Sequence, residues 1–323
     1  MSYTMCSKIT FPKTDKRGEL VLHIVSSCTI TSAWKQLTDT AEVVLPRKIR
    51  TFEGMQLQEV FNPGDPIRIA LGYNGELTEE FIGYVLSVSR GIPVTIRCED
   101  EMYKLKRKTV SYSRKSITLG QMLKDLIPEY EIETSYGKTE LGAVRYSNML
   151  VSAILDDIQK KTGLYCFFRN NVLHVGNAYS DKELESVNIH LERNAVSQDL
   201  QQSGGDYEVT AIALLNDGKK MEAQAGTKGA ESFRFTLDSK DEKITADVLK
   251  ETAKRIYENL KKQKYKGGIE LFGVPVVRHG MVLELKSEVT PEMDGKYLVE
   301  KVEKTFSDNS TYRQKVDLGG RLQ

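Results

Sequence analysis

The chain has 323 residues, and its 46 Lys and Arg against 45 Asp and Glu leave a net charge of +1. Hydrophobic residues make up 40% and charged residues 28%, which is typical of a folded, water-soluble protein and excludes a disordered one. The near-neutral balance argues against a dedicated nucleic-acid binder, but it is compatible with DNA that passes through a lumen without being held. At roughly 100–200 residues per domain, the length predicts two or three domains.

No segment approaches the roughly 20 apolar residues that a membrane-spanning helix needs, so we expect no membrane insertion. The first residues lack the apolar core of a secretory signal, and we therefore expect synthesis in the cytoplasm. The four cysteines, Cys6, Cys28, Cys98 and Cys166, form no CxxC pair and are predicted to be reduced thiols packed in apolar surroundings.

The first third of the chain alternates between apolar and polar residues, as strands do. Two strand-like runs, residues 3–11 and 19–30, flank a turn, and Asn74-Gly75 is a strong hairpin signal. Short strands joined by tight turns predict a small barrel or sandwich. Further strands are predicted at residues 42–45, 67–73, 81–88 and 94–98.

The middle third changes to a helical period. Residues 118–127 form an amphipathic stripe that opens with Thr118 and Gln121, a capping box, and a second helix is predicted at 148–161. Gly163 suits the left-handed position that ends this second helix. A hairpin of residues 164–169 and 172–175 follows, turning at Asn170-Asn171.

The last third returns to strands after the polar stretch 201–206. A long amphipathic helix is predicted at 245–263, with Gly267-Gly268 ending it. The β-rich ends of the chain resemble each other in pattern, which permits two similar barrels. The remaining predicted strands are 207–215, 232–237, 269–272, 281–286, 297–306 and 311–318.

These patterns together predict a β-rich α+β protein in which two similar small β-barrel domains flank or enclose an α+β domain. We place the domains at residues 1–98, 99–180 and 181–323, and expect helix 245–263 to pack on the middle domain.

The search for chemistry gives little. None of the four histidines, His23, His174, His190 and His279, has a second His or Cys at metal-ligand spacing, and His23 and His174 are predicted to lie inside strands. The chain has no nucleophile elbow, no glycine-rich dinucleotide loop and no phosphate-binding loop. We therefore predict no catalytic residues, no cofactor, no metal and no small-molecule substrate.

Three groups of charged residues can be interpreted either as functional sites or as ordinary structural features. Glu99-Asp100-Glu101 is compatible with acid–base chemistry, but capping of a short following helix is the simpler interpretation. Asp156-Asp157 is interpreted as a solvated helix face. The basic run of residues 104–108, with Tyr103 and Tyr112 nearby, either contacts phosphate or is a solvated or salt-bridged surface, which we favour.

Four stretches carry a resemblance to a known family. They are residues 37–46 with 63–69; 81–85 with 92–100 and 105–106; 118–126 with the helix at 153–155 and Gly163-Leu164; and 273–280 with 294–299 and 302–306. Their order along nearly the whole chain resembles the late-control protein D family, the baseplate hub proteins of Mu-like contractile phages, which are related to the base of type VI secretion spikes. Since the last strands are not followed here by a spike or lysozyme pattern, the resemblance leads us to expect a separate spike protein.

The resemblance implies a structural tail protein of a phage, prophage or phage-like contractile injection system. It implies a homotrimer in which two tail-tube-like β-barrel domains per chain form a pseudo-sixfold ring between the tail tube and the central spike. The implied partners are a tube protein, a spike protein and other baseplate proteins, with DNA only as passing cargo. We expect assembly in the bacterial cytoplasm, a final location in the virion baseplate, and a lumen lined by polar residues such as Arg68, Lys301 and Glu303.

Two alternatives stay open from the sequence. A tail-associated cell-wall or polysaccharide hydrolase predicts that Glu99, Asp100 or Glu101 lines a cleft. A receptor- or carbohydrate-binding protein predicts clustered exposed aromatic side chains, for which a single tryptophan, Trp34, and dispersed tyrosines give little material.

Overall fold

The computed structural model describes residues 4–46, 60–169, 171–176, 185–202, 205–214, 219–237, 245–261 and 265–322. The described chain is β-rich, and its largest element is a sheet of 14 strands that includes strands from both ends of the chain. The apolar side chains gather into four separate cores rather than one.

The N-terminal module is antiparallel, and its strands follow the order β3-β4-β7-β6-β5-β1-β2. Alternate residues of each strand point into one core, as the two-residue period predicts. The predicted hairpin at Asn74-Gly75 is confirmed, because both residues have positive φ, 53° and 87°. The strands are β1 (Met5–Phe11), β2 (Leu20–Leu22), β3 (Ser27–Ala33), β4 (Thr40–Val44), β5 (Pro66–Tyr73), β6 (Glu76–Val88) and β7 (Thr95–Glu99).

The middle module places two helices against short strands, around a core of its own. Thr118 caps the first helix by accepting the Gln121 backbone N–H at 3.3 Å, and Gly163 ends the second at φ 75°, so both predicted caps are confirmed. The elements are α1 (Met102–Leu105), β8 (Thr109–Arg114), α2 (Leu119–Leu126), β9 (Glu131–Glu133), β10 (Val144–Leu150), α3 (Val151–Thr162), β11 (Tyr165–Arg169) and β12 (Val172–Gly176).

The C-terminal module repeats the strand order of the N-terminal one. Its order β14-β19-β22-β21-β20-β13 corresponds to β3-β4-β7-β6-β5-β1, with antiparallel pairing at every step except the last, where β13 and β20 are parallel. The strands are β13 (Ser186–His190), β14 (Ala195–Gln198), β15 (Gln201–Gln202), β19 (Tyr265–Phe272), β20 (Val282–Lys286), β21 (Gly295–Ser307) and β22 (Thr311–Leu322), with the short helix α4 (Leu191–Asn194) after β13.

The two modules also share a backbone hydrogen-bond motif. The Gly64 N–H donates to the Val85 carbonyl at 2.8 Å and the Val85 N–H to the Asp65 carbonyl at 2.9 Å. The Gly280 N–H donates to the Val299 carbonyl at 2.8 Å, and the Val299 N–H to the carbonyl of the residue after Gly280 at 2.9 Å. Both glycines have positive φ, 93° and 78°. The motif aligns Val85 of β6 with Val299 of β21.

One long strand joins the two modules. The first residues of β21 pair with β20, and residues 301–307 then pair antiparallel with β3 of the N-terminal module. Phe306 and Tyr312, from the β21–β22 hairpin, belong to the N-terminal core. Among the described residues the strand order of each module is an open path, so the expected closure into barrels is not observed there.

A fourth unit lies between β15 and β19 in the sequence: a three-stranded sheet with a helix on one face. The helix packs on β16 and β17, through Leu249, Ala253 and Leu260. On the sheet's other side, the Tyr136 hydroxyl of the middle module donates to the Thr236 carbonyl at 3.1 Å. The elements are β16 (Tyr207–Leu214), β17 (Lys220–Gly226), β18 (Glu231–Leu237) and α5 (Ala246–Lys261).

Two expectations are corrected here. The long helix packs on its own sheet instead of the middle domain, because the alternate apolar residues of β16 match its apolar stripe. Gly267-Gly268 lie inside β19 and do not end a helix. A Cβ at Gly267 would lie 2.4 Å from the Asp199 carbonyl oxygen, so a close strand approach explains this glycine.

Candidate functional site

One face of the large sheet is mostly polar, and it extends from the C-terminal to the N-terminal module. Because paired residues of neighbouring strands share a face, the register places Glu270, Lys315, Glu303 and Thr31 in one row. We call this surface the polar face. A second row contains Arg313, Thr305, Thr29, Glu42, Arg97 and Ser87, and a third contains Asp317 and Lys301.

Charges on the polar face alternate in sign. The Arg97 Nε lies 3.0 Å from a Glu42 carboxylate oxygen, and the Lys301 Nζ lies 3.5 Å from Glu303. Among the residues named in these rows, four cations (Lys301, Lys315, Arg97 and Arg313) balance four anions (Glu42, Glu270, Glu303 and Asp317), and Glu99, which continues the first row, is paired with Lys106. Such a surface is hydrated but presents no net attraction to a polyanion, since counterion release requires a basic excess.

The predicted lumen residues divide between two places. Lys301 and Glu303 lie on the polar face, where β21 crosses from one module to the other. Arg68 lies on β5, outside those rows, with its guanidinium 3.6 Å from the Glu79 carboxylate. That these residues line a lumen stays a prediction.

A buried ion pair lies under the opposite face of the same strands. Lys304 of β21 pairs with Glu80 of β6, and their side chains are 5% and 1% exposed. The Tyr312 hydroxyl donates to the other Glu80 oxygen at 3.2 Å. Burial lowers the pKa of Lys304, an effect that the Glu80 carboxylate opposes. This pair ties the two terminal modules together in a place where either charge alone would be costly.

The acidic run Glu99-Asp100-Glu101 is buried, and each carboxylate has its own structural partner. Glu99 pairs with Lys106 at 2.8 Å. Asp100 accepts the Asp39 and Met102 backbone N–H groups at 3.0 and 2.9 Å, which confirms capping of the short helix α1. Burial, followed by the negative charge of Asp39, raises the pKa of Asp100 well above its usual range.

Glu101 occupies the N-cap position of α1 without a side-chain capping bond. It instead accepts the Tyr84 hydroxyl at 3.0 Å and the Tyr130 hydroxyl, and lies 3.2 Å from Lys104. A cavity of about 90 Å³ borders Asp100 and Glu101. This volume has room for a few water molecules but not for a sugar ring, so the arrangement does not resemble the two carboxyls that flank a glycosidic bond.

The basic run is largely neutralised within the chain. Lys104, Lys106 and Lys108 pair with Glu101, Glu99 and Glu129, the last at 2.8 Å. The Arg107 guanidinium lies 3.5 Å from the centre of the Tyr103 ring and donates to the Tyr103 carbonyl at 2.8 Å. The salt-bridged interpretation therefore fits the geometry better than a phosphate site.

The histidines do not converge. His174, His190 and His279 lie beside carboxylates of different residues, at 3.4, 3.5 and 3.7 Å from Glu133, Glu192 and Asp39. His174 lies inside β12 as predicted, whereas His23 lies just beyond β2, where its carbonyl accepts the Ser7 hydroxyl. In the portion of the chain that the structure describes, no cluster of three His, Cys, Asp or Glu is placed to hold a metal ion.

Asp156, Asp157 and Trp34 have structural roles. Asp156 and Asp157 lie on the solvated side of α3, paired with Lys160 and Lys161. Trp34 is buried, with its ring 4.6 Å from that of Tyr165, and is not placed for stacking a sugar. None of the helices in the described ranges has the length and apolarity to cross a bilayer.

Sequence reasoning missed one apolar groove of about 850 Å³. It lies where the hairpin β21–β22 meets the beginning of β1, and its exposed apolar side chains are Ile24, Phe272 and Val274. These residues come from distant segments, and no local pattern distinguishes them from ordinary strand and turn residues.

Comparison with known proteins identifies the relatives of this chain. The model of the YQBQ-like family matches residues 46–318. No curated protein matches the sequence.

Solved structures share the fold over almost the whole chain at low sequence identity. The tail protein from Neisseria meningitidis MC58 aligns with a TM-score of 0.65 and 14% identity, covering 99% of this chain and 97% of that one. The 43 kDa tail protein of prophage MuSo2 from Shewanella oneidensis aligns at 0.62 and 13%, with coverages of 99% and 97%.

A type VI secretion component is also similar. The E. coli c3393 protein, described as similar in structure to the T4 bacteriophage tail proteins gp27 and gp5, aligns at 0.59 with 9% identity, covering 93% of this chain and 74% of that one. The neighbours are phage tail and secretion-spike proteins. The resemblance inferred from the sequence is therefore confirmed at the level of the fold.

Proposed function

The chain belongs to the YQBQ-like family, and from this premise we propose that it is the structural hub of a phage or phage-like contractile tail. Three copies form a ring of six similar modules that joins the tail tube above to the central spike below. The role is structural and involves no catalytic step.

The repeated strand order of the two terminal modules is the observation that carries this proposal. A tail tube of sixfold symmetry and a spike of threefold symmetry meet without mismatch if each of three chains supplies two like units. The shared hydrogen-bond motif at Gly64 and Gly280 supports the equivalence of these units at the level of single residues. The fold neighbours among tail proteins support the same setting.

The polar face supports a lumen. Its alternating charges favour a hydrated wall along which DNA or protein cargo slides without binding. We assign residues 1–98 and 181–323 to tube-like, barrel-forming domains that carry this wall, the second of them interrupted by the separate sheet and helix of residues 207–261, and residues 99–180 to a supporting domain. The partners are a tail-tube protein, a spike protein and other baseplate proteins, in the virion tail of a particle assembled in the bacterial cytoplasm.

The oligomeric state of the full chain tests the proposal. We expect mass photometry and sedimentation velocity to give a species of three chains, and negative-stain images to show rings with six lobes. Lys301→Glu on the polar face serves as a control, because it reverses one wall charge through a side chain and leaves the backbone hydrogen bonds between β3 and β21 in place. A chain that stays monomeric at high concentration, or rings with a number of lobes other than six, would exclude the pseudo-sixfold hub.

A further inference from the structure

The two terminal modules pair with each other inside one chain, through β3 and β21. The strands equivalent to these two in the opposite modules do not pair with each other within the described part of the chain. Inside the chain, β3 of the N-terminal module lies against residues 301–307 of β21. In the C-terminal module the strand equivalent to β3 is β14 with β15, and the N-terminal equivalent of β21 is β6. The counterpart of the internal junction is therefore β14–β15 against the end of β6.

The hydrogen-bond motif fixes one side of this correspondence. Since Val85 aligns with Val299, Ser89 aligns with Glu303, four residues further along each strand. The pairing partners agree, because Ser87 and Lys301 face Arg97 and Asp317, the equivalent residues of β7 and β22.

The strand pairs β3–β4 and β15–β19 give the register of the β14–β15 edge. Arg97 and Asp317 are equivalent, and their partners on the next strand are Glu42 and Gly268. Two residues earlier on those strands, Thr40 of β4 is therefore equivalent to Lys266 of β19. Thr40 pairs with Thr31, and Lys266 pairs with Gln201. Gln201 is therefore the equivalent of Thr31, the residue that faces Glu303 inside the chain.

The two equivalent edges differ in what covers them. β3 pairs with β21 along its whole length and with β4 from Ser27 to Thr31. In contrast, β14 and β15 pair only with β19 within the described residues, and Val196 of β14 is 44% exposed. On the other element, Ile92 at the tip of the β6–β7 hairpin is 77% exposed. An unpaired edge next to exposed apolar side chains is a surface that proteins normally cover.

We propose that β14–β15 of one chain pairs antiparallel with the end of β6 of a second copy of this chain, with Gln201 opposite Ser89 and Gln202 opposite Val88. The partner is a second copy because the internal junction is its template, and this chain supplies both of the modules that form it. The proposal rests on the proposed function, from which it takes the closed ring of three.

The geometry of the contact follows from the position of the two edges. Each chain offers one β14–β15 edge and one β6 end, so the contact is head-to-tail and leaves neither of these two edges free in a closed ring. Ile92 then lies over the exposed end of β14, near Val196, and covers it. Three internal and three intermolecular junctions together make six like contacts.

A disulfide between the two proposed edges tests the register. Directly opposed residues of antiparallel strands have Cα atoms about 4.5–5.5 Å apart, within the range that a disulfide spans. We would make Ser89→Cys with Gln201→Cys in a Cys6→Ser background, since Cys6 is the cysteine that is not buried. The controls are each single cysteine and the mismatched pair Ser89→Cys with Glu222→Cys, whose second site is on β17.

We expect mild oxidation to convert most of the matched double variant into dimer and trimer bands on a non-reducing gel, reversed by a reductant, with at least five times the yield of any control. Mass photometry of the parent chain runs in parallel. A trimeric parent whose matched pair cross-links no better than the controls would overturn this register and leave the hub proposal standing. A monomeric parent without cross-linking would overturn both, and cross-linked chains that never close at three would retain the junction and remove the ring.

A second variant tests the same contact without cysteines, in case the cysteine pair does not fold. Ile92→Asp with Val196→Asp changes two exposed positions, so the circular dichroism spectrum should match that of the parent. We expect at least a tenfold weaker trimer by dilution in mass photometry. An unchanged dissociation profile in a folded double variant would contradict the proposed contact.

Discussion

The N-terminal and C-terminal modules share one strand order, and the length of one hairpin is among their differences. In the N-terminal module, β6 and β7 turn early, since the Ser89 N–H already donates to the Thr95 carbonyl at 2.8 Å. In the C-terminal module, β21 and β22 continue to the pair Ser307 and Thr311. The added length carries Phe306 and Tyr312 into the core of the other module.

The difference shows how one fold serves as both a free unit and a joined one. A longer hairpin covers the edge of the neighbouring sheet and adds apolar contacts there, whereas the short hairpin leaves its tip exposed. A few added residues per strand therefore separate a permanent junction inside the chain from a surface available to another molecule.

The largest loss of stability is expected from a substitution in the buried ion pair between Lys304 and Glu80, at the junction of the two modules. Lys304→Met leaves the Glu80 carboxylate without its cation in a buried position, and we expect a loss of about 3–5 kcal/mol in the free energy of unfolding, measured in urea. Lys304→Met combined with Glu80→Met should lose less than the single change, because no charge stays buried. Lys301→Met on the polar face is the matched control, with a change within about 0.5 kcal/mol. A single Lys304 variant as stable as this control would refute the role given to the pair.

The next effect compares the two hairpins directly. Phe306→Ala removes a buried ring from the N-terminal core and should cost about 3 kcal/mol in the same urea titration. Ile92→Ala at the equivalent hairpin should change the stability of the isolated chain by about 0.5 kcal/mol or less, because that side chain is exposed. Equal losses from both variants would mean that the short hairpin is covered as the long one is.

A smaller loss of stability is expected from substitutions in the shared hydrogen-bond motif that precedes β5 and β20. Gly64→Ala and Gly280→Ala each place a Cβ at positive φ, and each should cost about 1–2 kcal/mol. Gly280→Ala should cost more, because its Cβ would lie 2.8 Å from the Arg169 Nη2, which is held by its hydrogen bond to the His279 carbonyl, against 3.4 Å from the Tyr103 hydroxyl at Gly64. Thermal unfolding of both variants gives the order, and the reverse order would argue against equivalent backbone roles.

The smallest effect is a dependence on pH at Asp100, whose pKa is raised by burial and by Asp39. The folded state then holds this proton more tightly than the unfolded chain does. The resulting stability is complete below the ordinary aspartate pKa of about 4 and is lost as the pH rises through the raised pKa. Asp39→Asn removes one of the causes and keeps the Oδ1 that accepts the Ala33 N–H.

We therefore expect stability to fall less steeply with rising pH in Asp39→Asn than in the parent, measured by urea unfolding between pH 4 and 8. Lys106 and His279 also lie near these two carboxyls and are unchanged in the variant. Identical slopes in the two proteins would show that Asp39 does not influence the titration of Asp100.

Local chemistry made much of the fold predictable. Thr118 and Gly163 bound helices where capping residues are expected, and Asn74-Gly75 turns a hairpin, because each signal acts within a few residues. The similarity of the β-rich ends was visible as a pattern, and the structure resolves it into one strand order. The capping role of Asp100 was likewise predictable from the helix that follows it.

The features that could not be predicted from the sequence depend on pairing between strands that are far apart in the chain. The junction between Ala33 and Lys301 joins residues more than 260 positions apart, and nothing local specifies that pairing. The polar face depends on the same register, as does the exposed edge at β14. Gly267 was assigned to a helix end, because a glycine required by a neighbouring backbone looks the same in sequence as one required by a turn.

The strand Gly295–Ser307 has a mechanical consequence. Because one continuous backbone runs through the pairings with both β20 and β3, a force that draws the modules apart along this strand loads its hydrogen bonds together, in shear. A perpendicular force would open the same bonds one after another and so requires less load. The chain should therefore resist axial tension far better than lateral peeling.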